Sequence, residues 1–242
     1  MSPRLKALAV LVVTLSFAAS PIFTPAFRGY DPTQFPVAIG RPAILPAGYA
    51  FSIWGVIYLW LLAHAVQGVW RRAEDADWDA TRPGLFLSLA VGTIWLAVAV
   101  RSPVWASVLI LIMLAGALAA VLAAPRQRDR WWLSAPLGLY AGWLTAASGV
   151  SLGVLLSGYG LLPDQAAAAL MLAVVLAGAI TVQRRLGPVP SYALVIIWAL
   201  VAVIVANGAQ QPAISGLAAA GILLMAFVGW RAWGTGRTGA GY

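Results

Sequence analysis

No cysteine occurs in the 242 residues, so neither a disulfide nor thiolate chemistry is open to the chain. A single histidine, His64, excludes a histidine cluster around a metal. Only seven acidic residues are present, and charged residues make up 9% of the chain against 62% hydrophobic. Soluble domains carry roughly 25% charge. A soluble fold of this size has nowhere to hide so much apolar surface, so the bilayer must be the solvent for most of it. Alternating apolar and polar segments of about ten residues are also missing, which argues against a membrane barrel. No buried carboxylate pair, no Ser-His-Asp set and no glycine-rich phosphate loop is legible, so no catalytic residue and no metal ligand is assigned.

What is present is a series of continuous apolar runs rich in Ala, Leu and Val, long enough to cross about 30 Å of hydrocarbon as helices. Eight spans are predicted: Leu5–Phe23, Tyr49–Trp70, Gly84–Val100, Val104–Ala124, Leu133–Leu156, Ala166–Gln183, Tyr192–Asn207 and Ile214–Trp233. Pro and Gly punctuate the gaps, and the third and fourth spans are close enough to form a tight antiparallel hairpin around Arg101-Ser102-Pro103. The fold class is therefore an all-α, polytopic transmembrane bundle. A basic start and the apolar core Leu8–Ala18 also fit a cleaved signal peptide, but Pro21 after Ala18-Ala19-Ser20 makes a poor cleavage site, and a retained first helix is expected.

The basic residues test the count. Assigning alternate segments to alternate sides gives one side Arg4, Lys6, Arg71, Arg72, Arg82, Arg126, Arg128, Arg130, Arg184, Arg185, Arg231 and Arg237. The other side receives Arg28, Arg41 and Arg101. The positive-inside rule makes the first side cytoplasmic and puts both termini there, which implies a multi-pass protein of the bacterial cytoplasmic membrane. The net charge of +8 is accounted for by these short loops, so no nucleic acid partner is expected. The expected partners are the lipid bilayer and a hydrophobic small molecule, with a homodimer or a larger membrane complex as further options.

Between the first two spans lies a long segment, residues 24–48, with Pro25, Pro32, Pro36, Pro42 and Pro46. A loop of this length between tightly connected helices is either a lid over a binding site or a strap covering helix ends. The mixed-charge segment Arg71–Arg82, with Glu74, Asp75, Asp77 and Asp79, reads as a solvated turn, and Gly234–Tyr242 as an irregular, flexible tail. His64 shares a slightly polar stripe with Trp60 and Gln67, and reads either as a ligand contact or as an interfacial residue with a local hydrogen bond.

Twelve Trp residues stand out. Trp70, Trp78, Trp105, Trp131, Trp132, Trp230 and Trp233 fall at span ends, where indole prefers the interface. Trp54, Trp60, Trp95, Trp143 and Trp198 lie within spans, where each indole N–H needs a partner from a ligand or a backbone carbonyl. At helical spacing, Trp54 and Tyr58 share a face of the second helix, and Tyr140, Trp143, Ala147 and Ser151 share a face of the fifth. Aromatic rings beside small residues suit a pocket for a flat apolar ligand.

These residues resemble a known pattern. Pro46-Ala-Gly-Tyr-Ala-Phe51-Ser-Ile-Trp54-Gly-Val-Ile-Tyr58 is similar to the second-helix signature of the tryptophan-rich sensory protein family, TspO, which includes the translocator protein. Tyr140-Ala-Gly-Trp143-Leu-Thr-Ala-Ala147 resembles the family's fifth helix, and Trp95 falls where its third helix carries Trp. The resemblance covers residues 5–157. Phe51 and Trp54 are one residue closer than in the family, and Gly92 and Ser151 stand where it carries Asn. It implies a five-helix core, residues 1–157, with three further helices over 158–233. It also implies a pocket of Pro46, Phe51, Trp54, Tyr58, Trp95, Tyr140, Trp143, Ala147 and Ser151 for a porphyrin, another tetrapyrrole or a sterol-like lipid, used in sensing or transport. No cofactor is assigned beyond such a tetrapyrrole ligand. The alternatives are a transporter of small hydrophobic solutes and a non-catalytic accessory subunit of a pigment-binding complex.

Overall fold

The computed structural model describes residues 1–238 except 26, 28, 126 and 127, with side chains described up to 232. Arg28, Arg126 and Tyr242, and the side chains of Trp233 and Arg237, therefore lie outside the description. Among the described residues there are eight helices long and apolar enough to span a membrane, and no strand. They are α1 Pro3–Ala19, α2 Ile53–Trp70, α3 Ala76–Ala99, α4 Pro103–Ala123, α5 Ser134–Gly158, α6 Asp164–Leu186, α7 Pro190–Asn207 and α8 Pro212–Thr238. Short 3₁₀ turns extend α1 over Ser20–Ile22 and precede α2 over Gly48–Ser52.

The helix starts follow from local chemistry. Pro occupies the first helical position of α1, α4, α7 and α8, where its missing N–H costs nothing. Ser2 and Ser102 cap α1 and α4 by accepting from the amides of Leu5 and Trp105. The α3–α4 hairpin is as tight as its three-residue connection requires. At its crossing, a Cβ on Gly84 would lie 2.7 Å from the Gly116 carbonyl, so only paired glycines permit the approach.

Helices α1 to α5 close into a ring, with contacts in the order α2–α1–α3–α4–α5–α2. On its other side α5 meets α6 and α7, which pack with α8. This makes α5 the central helix, and Tyr140, Ala141 and Leu144 on it are fully buried. Small residues allow that position. A Cβ on Gly142 would lie 2.8 Å from the Tyr192 carbonyl of α7.

Two ends of the bundle are tied by polar contacts, and they match the alternation read from the charges. At one end Lys6 pairs with Asp79, Arg72 with Asp129, and Arg128 with Asp75 and Asp77, while Arg130 donates to the Pro188 carbonyl. Burial alone would raise the Asp129 carboxyl, but hydrogen bonds from Arg72 and Trp78 outweigh it and hold Asp129 below the usual carboxylate range. At the other end the strap between α1 and α2 joins the α5–α6 and α7–α8 turns.

Three expectations are corrected. The segment Arg71–Arg82 is not a solvated turn: α3 begins at Ala76, eight residues early, because Asp75 caps it by accepting from the amides of Asp77 and Trp78. Pro83 sits inside α3 without ending it, as membrane helices tolerate. Trp78 is not an interfacial residue either. It is 2% exposed, donates to Asp129 at 3.0 Å and lies flat on His64 at 4.8 Å. Nor is the segment from Gly234 wholly irregular: α8 continues to Thr238, since no proline interrupts it.

Candidate functional site

The strap is built from short-range turns and long-range anchors. Asp31 caps a 3₁₀ turn over Pro32–Gln34, accepting from the Thr33 amide, whose hydrogen bonds hold its carboxyl below the usual range. Four backbone or side-chain contacts then pin the strap to the later helices. The Ala43 amide donates to Asp164 at 2.9 Å, and its carbonyl accepts from Asn207 at 2.8 Å. The Ala47 amide donates to the Ala202 carbonyl at 2.9 Å, and Arg41 bridges the Leu45 and Ala206 carbonyls. On the other side Gln34 donates to the Val100 carbonyl.

Beneath the strap lies a mainly apolar cavity among α2, α3, α4, α5 and α7. Its volume is about 80 Å³, and it is open at a mouth. Phe27, Tyr30, Leu45 and Pro46 form the strap's share of the wall, Phe51 and Trp54 that of the 3₁₀ turn and α2, Trp95 that of α3 and Ile110 that of α4. The small face of α5, Ala146, Ala147, Val150 and Ser151, supplies the floor beside Trp143, and Ala199 of α7 closes it. Edge-on ring contacts fix the walls: Trp54–Trp143 at 6.0 Å, Phe51–Trp143 at 6.1 Å and Phe27–Trp95 at 5.2 Å.

One corner is polar. The Tyr30 hydroxyl meets Ser151 Oγ at 2.5 Å, Ser151 meets Ser107 at 2.6 Å, and Ser107 donates to the Pro103 carbonyl at 2.8 Å. Burial pushes the Tyr30 phenol above its usual range despite these bonds, so it stays a neutral hydroxyl at all ordinary pH. Trp95 donates to the Ala106 carbonyl at 2.9 Å. Trp143 differs: its Nε1 is buried and has no hydrogen-bond partner.

Seven of the nine residues read from sequence line this cavity: Pro46, Phe51, Trp54, Trp95, Trp143, Ala147 and Ser151. Tyr58 and Tyr140 do not. Tyr58 stacks behind Trp54 at 5.4 Å, and Tyr140 is fully buried with its hydroxyl 2.8 Å from Ser88. Both pack on Phe17 of α1, which supports the aromatic wall from behind. Gly92 makes room for that ring, since a Cβ there would lie 2.7 Å from Phe17 Cε2. Phe17, Phe27, Tyr30 and Ala199 were not legible as site residues. The first and last sit in runs without periodicity, and the strap's aromatics carry no helical spacing to mark them. His64 lies far along α2 from the cavity lining, and its Nδ1 is 2.7 Å from the Trp132 carbonyl. With Trp60, which donates to the Trp131 carbonyl at 2.8 Å, it clamps the α4–α5 connection.

The sequence profile of the TSPO-like protein family matches residues 7–230. The chain belongs to that family. The match runs through α6, α7 and α8, well beyond the residues 5–157 that carry the motif resemblance, so the last three helices fall within the TSPO-like length. No curated protein and no solved structure matches the chain significantly.

Proposed function

We propose that this TSPO-like protein binds a flat, uncharged hydrophobic molecule bearing a hydrogen-bond acceptor, beneath the strap. Trp143, a residue of the cavity lining whose indole N–H is buried and unpartnered, carries the reading. A buried donor without an acceptor costs about 1–3 kcal/mol, and a ligand carbonyl or ring nitrogen would relieve it. Among the described lining residues none is charged, so a ligand carboxylate would have no counter-ion in the interior. Phe51, Trp54 and Trp95 provide the ring contacts.

Size narrows the ligand. The interior of about 80 Å³ is smaller than an engineered cavity of about 150 Å³ that takes benzene. A ligand of one or two rings fits by using the open mouth. A tetrapyrrole is larger than this interior. It would require Phe27 and Tyr30 to lift away, breaking the Tyr30–Ser151 hydrogen bond. Sensing and transport both suit such binding, and gradient-dependent uptake into liposomes would mark the latter.

The test is a titration of purified protein with 2-acetylnaphthalene and with protoporphyrin, read by Trp emission. Saturable quenching by the acetylnaphthalene is expected, lost in Trp54→Ala and kept in Trp230→Ala, whose indole is 72% exposed. Quenching that never saturates, or that falls equally in both variants, would sink the reading.

Orientation belongs with this proposal. The asymmetry of the basic loops supports both termini in the cytoplasm of a bacterial cell and the strap outside. A reporter fused after Tyr242 should read cytoplasmic and one inserted near Asp31 external; the reverse at either point overturns the orientation.

A further inference from the structure

A second, smaller cavity adjoins the first. It lies among α5, α6 and α7 and holds about 30 Å³ by the same measure as the 80 Å³ interior. Pro46, Ala146, Val150 and Ala199 wall both spaces and so lie between them.

The slot has a structural cause. Gly149 of α5 lets Val175 of α6 press directly on the α5 backbone, so the two helices meet closely there. One turn away, Ala146 on α5 and, from α7, Ala199 line the gap with methyl groups too short to fill it. Its far walls are Leu172, Ile196 and Val203, all nearly fully buried. A trapped water needs two to four polar partners, and every lining side chain here is apolar. A space of this size and lining takes a hydrocarbon group of one to three carbons.

We propose that this slot is a subsite for a short alkyl substituent of the ligand whose ring occupies the aromatic cavity. The inference rests on the binding reading above and adds a specificity element made by α6 and α7. The ligand class is thereby narrowed to flat rings carrying a methyl, ethyl or propyl group, directed between Ala146 and Ala199. Longer chains meet Val203 and Leu172 and are excluded.

The experiment compares naphthalene with 2-methyl-, 2-ethyl- and 2-hexylnaphthalene on the full-length protein in one detergent. The quantity read is the affinity of each alkylated probe relative to naphthalene, in wild type and in variants. Partitioning into micelles is the same for all proteins and cancels between them. Val203→Leu adds one methylene to the slot, and Val203→Ala removes two methyl groups from its wall. In wild type the ethyl probe is preferred over the hexyl probe. In Val203→Leu the ethyl-to-parent ratio should fall at least about fourfold, the value of one buried methylene, with naphthalene itself unaffected. In Val203→Ala the preference should move to longer chains. Leu172→Phe, filling the slot from α6, repeats the first result if Val203→Leu fails to fold, and retained naphthalene binding reports folding in each. Equal ratios in all the proteins, with naphthalene bound, overturn the subsite and leave the aromatic cavity standing. Absence of binding in wild type by naphthalene and by 2-acetylnaphthalene alike overturns both.

Discussion

Arg82→Ala should destabilise the protein by about 3 kcal/mol, the lower end of the range for breaking a buried charge pair. Arg82 is 3% exposed, and its guanidinium makes four hydrogen bonds. It donates to the carbonyls of Pro3 at 2.9 Å, Ala73 at 2.8 Å and Arg72 at 2.7 Å, and to Asp79 at 3.0 Å. Truncation removes a donor from three carbonyls, of which that of Arg72 keeps the Asp75 amide at 3.3 Å. The cost stays at the lower end because Asp79 retains Lys6 at 2.6 Å. Arg82→Lys should recover only part of the loss, since an ammonium cannot span carbonyls of α1 and of the α2–α3 connection as the planar fork does. The check is thermal unfolding in detergent for the three proteins. An Arg82→Ala midpoint equal to that of Arg128→Ala, whose side chain is 57% exposed, would show that the cluster does not hold the bundle end together.

The same cluster shows where the sequence speaks and where it does not. Span number, the hairpin at Arg101-Ser102-Pro103 and the alternation of basic loops were legible, because bilayer thickness and charge asymmetry act on each segment separately. The segment Arg71–Arg82 was misread because its charges look the same whether they face water or each other. Only the return of α1 to Asp79 and of the α4–α5 connection to Trp78 makes it an interior feature. The aromatic wall was legible for α2 and α5, whose rings recur at helical spacing, although periodicity could not separate Trp54 and Trp143 at the cavity from Tyr58 and Tyr140 behind it. The strap's role was open between lid and cover; the contacts of Phe27 and Tyr30 with Trp95 and Ser151 place it over the cavity. Ala199 was hidden because a small residue in an apolar run signals nothing until its neighbours are known. The pocket implied by the resemblance drew no residue from the appended helices, yet α7 completes the wall through Ala199 and anchors the strap through Ala202 and Asn207.

Trp143 separates stability from binding more sharply than any other residue. Trp143→Phe keeps a ring between Phe51 and Trp54 but removes an N–H that has no partner in the unliganded protein. Loss of a buried, unsatisfied donor removes a penalty of about 1–3 kcal/mol, against which the smaller ring leaves a partial cavity. The unliganded variant should therefore be no less stable than wild type. Binding of 2-acetylnaphthalene should nevertheless weaken by about 0.5–1.5 kcal/mol, the net worth of one hydrogen bond, or roughly two- to tenfold in Kd. Naphthalene, which offers no acceptor, should bind the variant as well as it binds wild type. Trp143→Ala is expected to behave differently on both counts. It removes the wall altogether, costing about 3–5 kcal/mol of stability as for other buried Trp truncations, and both probes should be lost. The measurements are unfolding midpoints without ligand and titrations with the two naphthalenes. Equal weakening of both probes in Trp143→Phe would mean that the indole contributes only its surface, and the requirement for an acceptor on the ligand would fall.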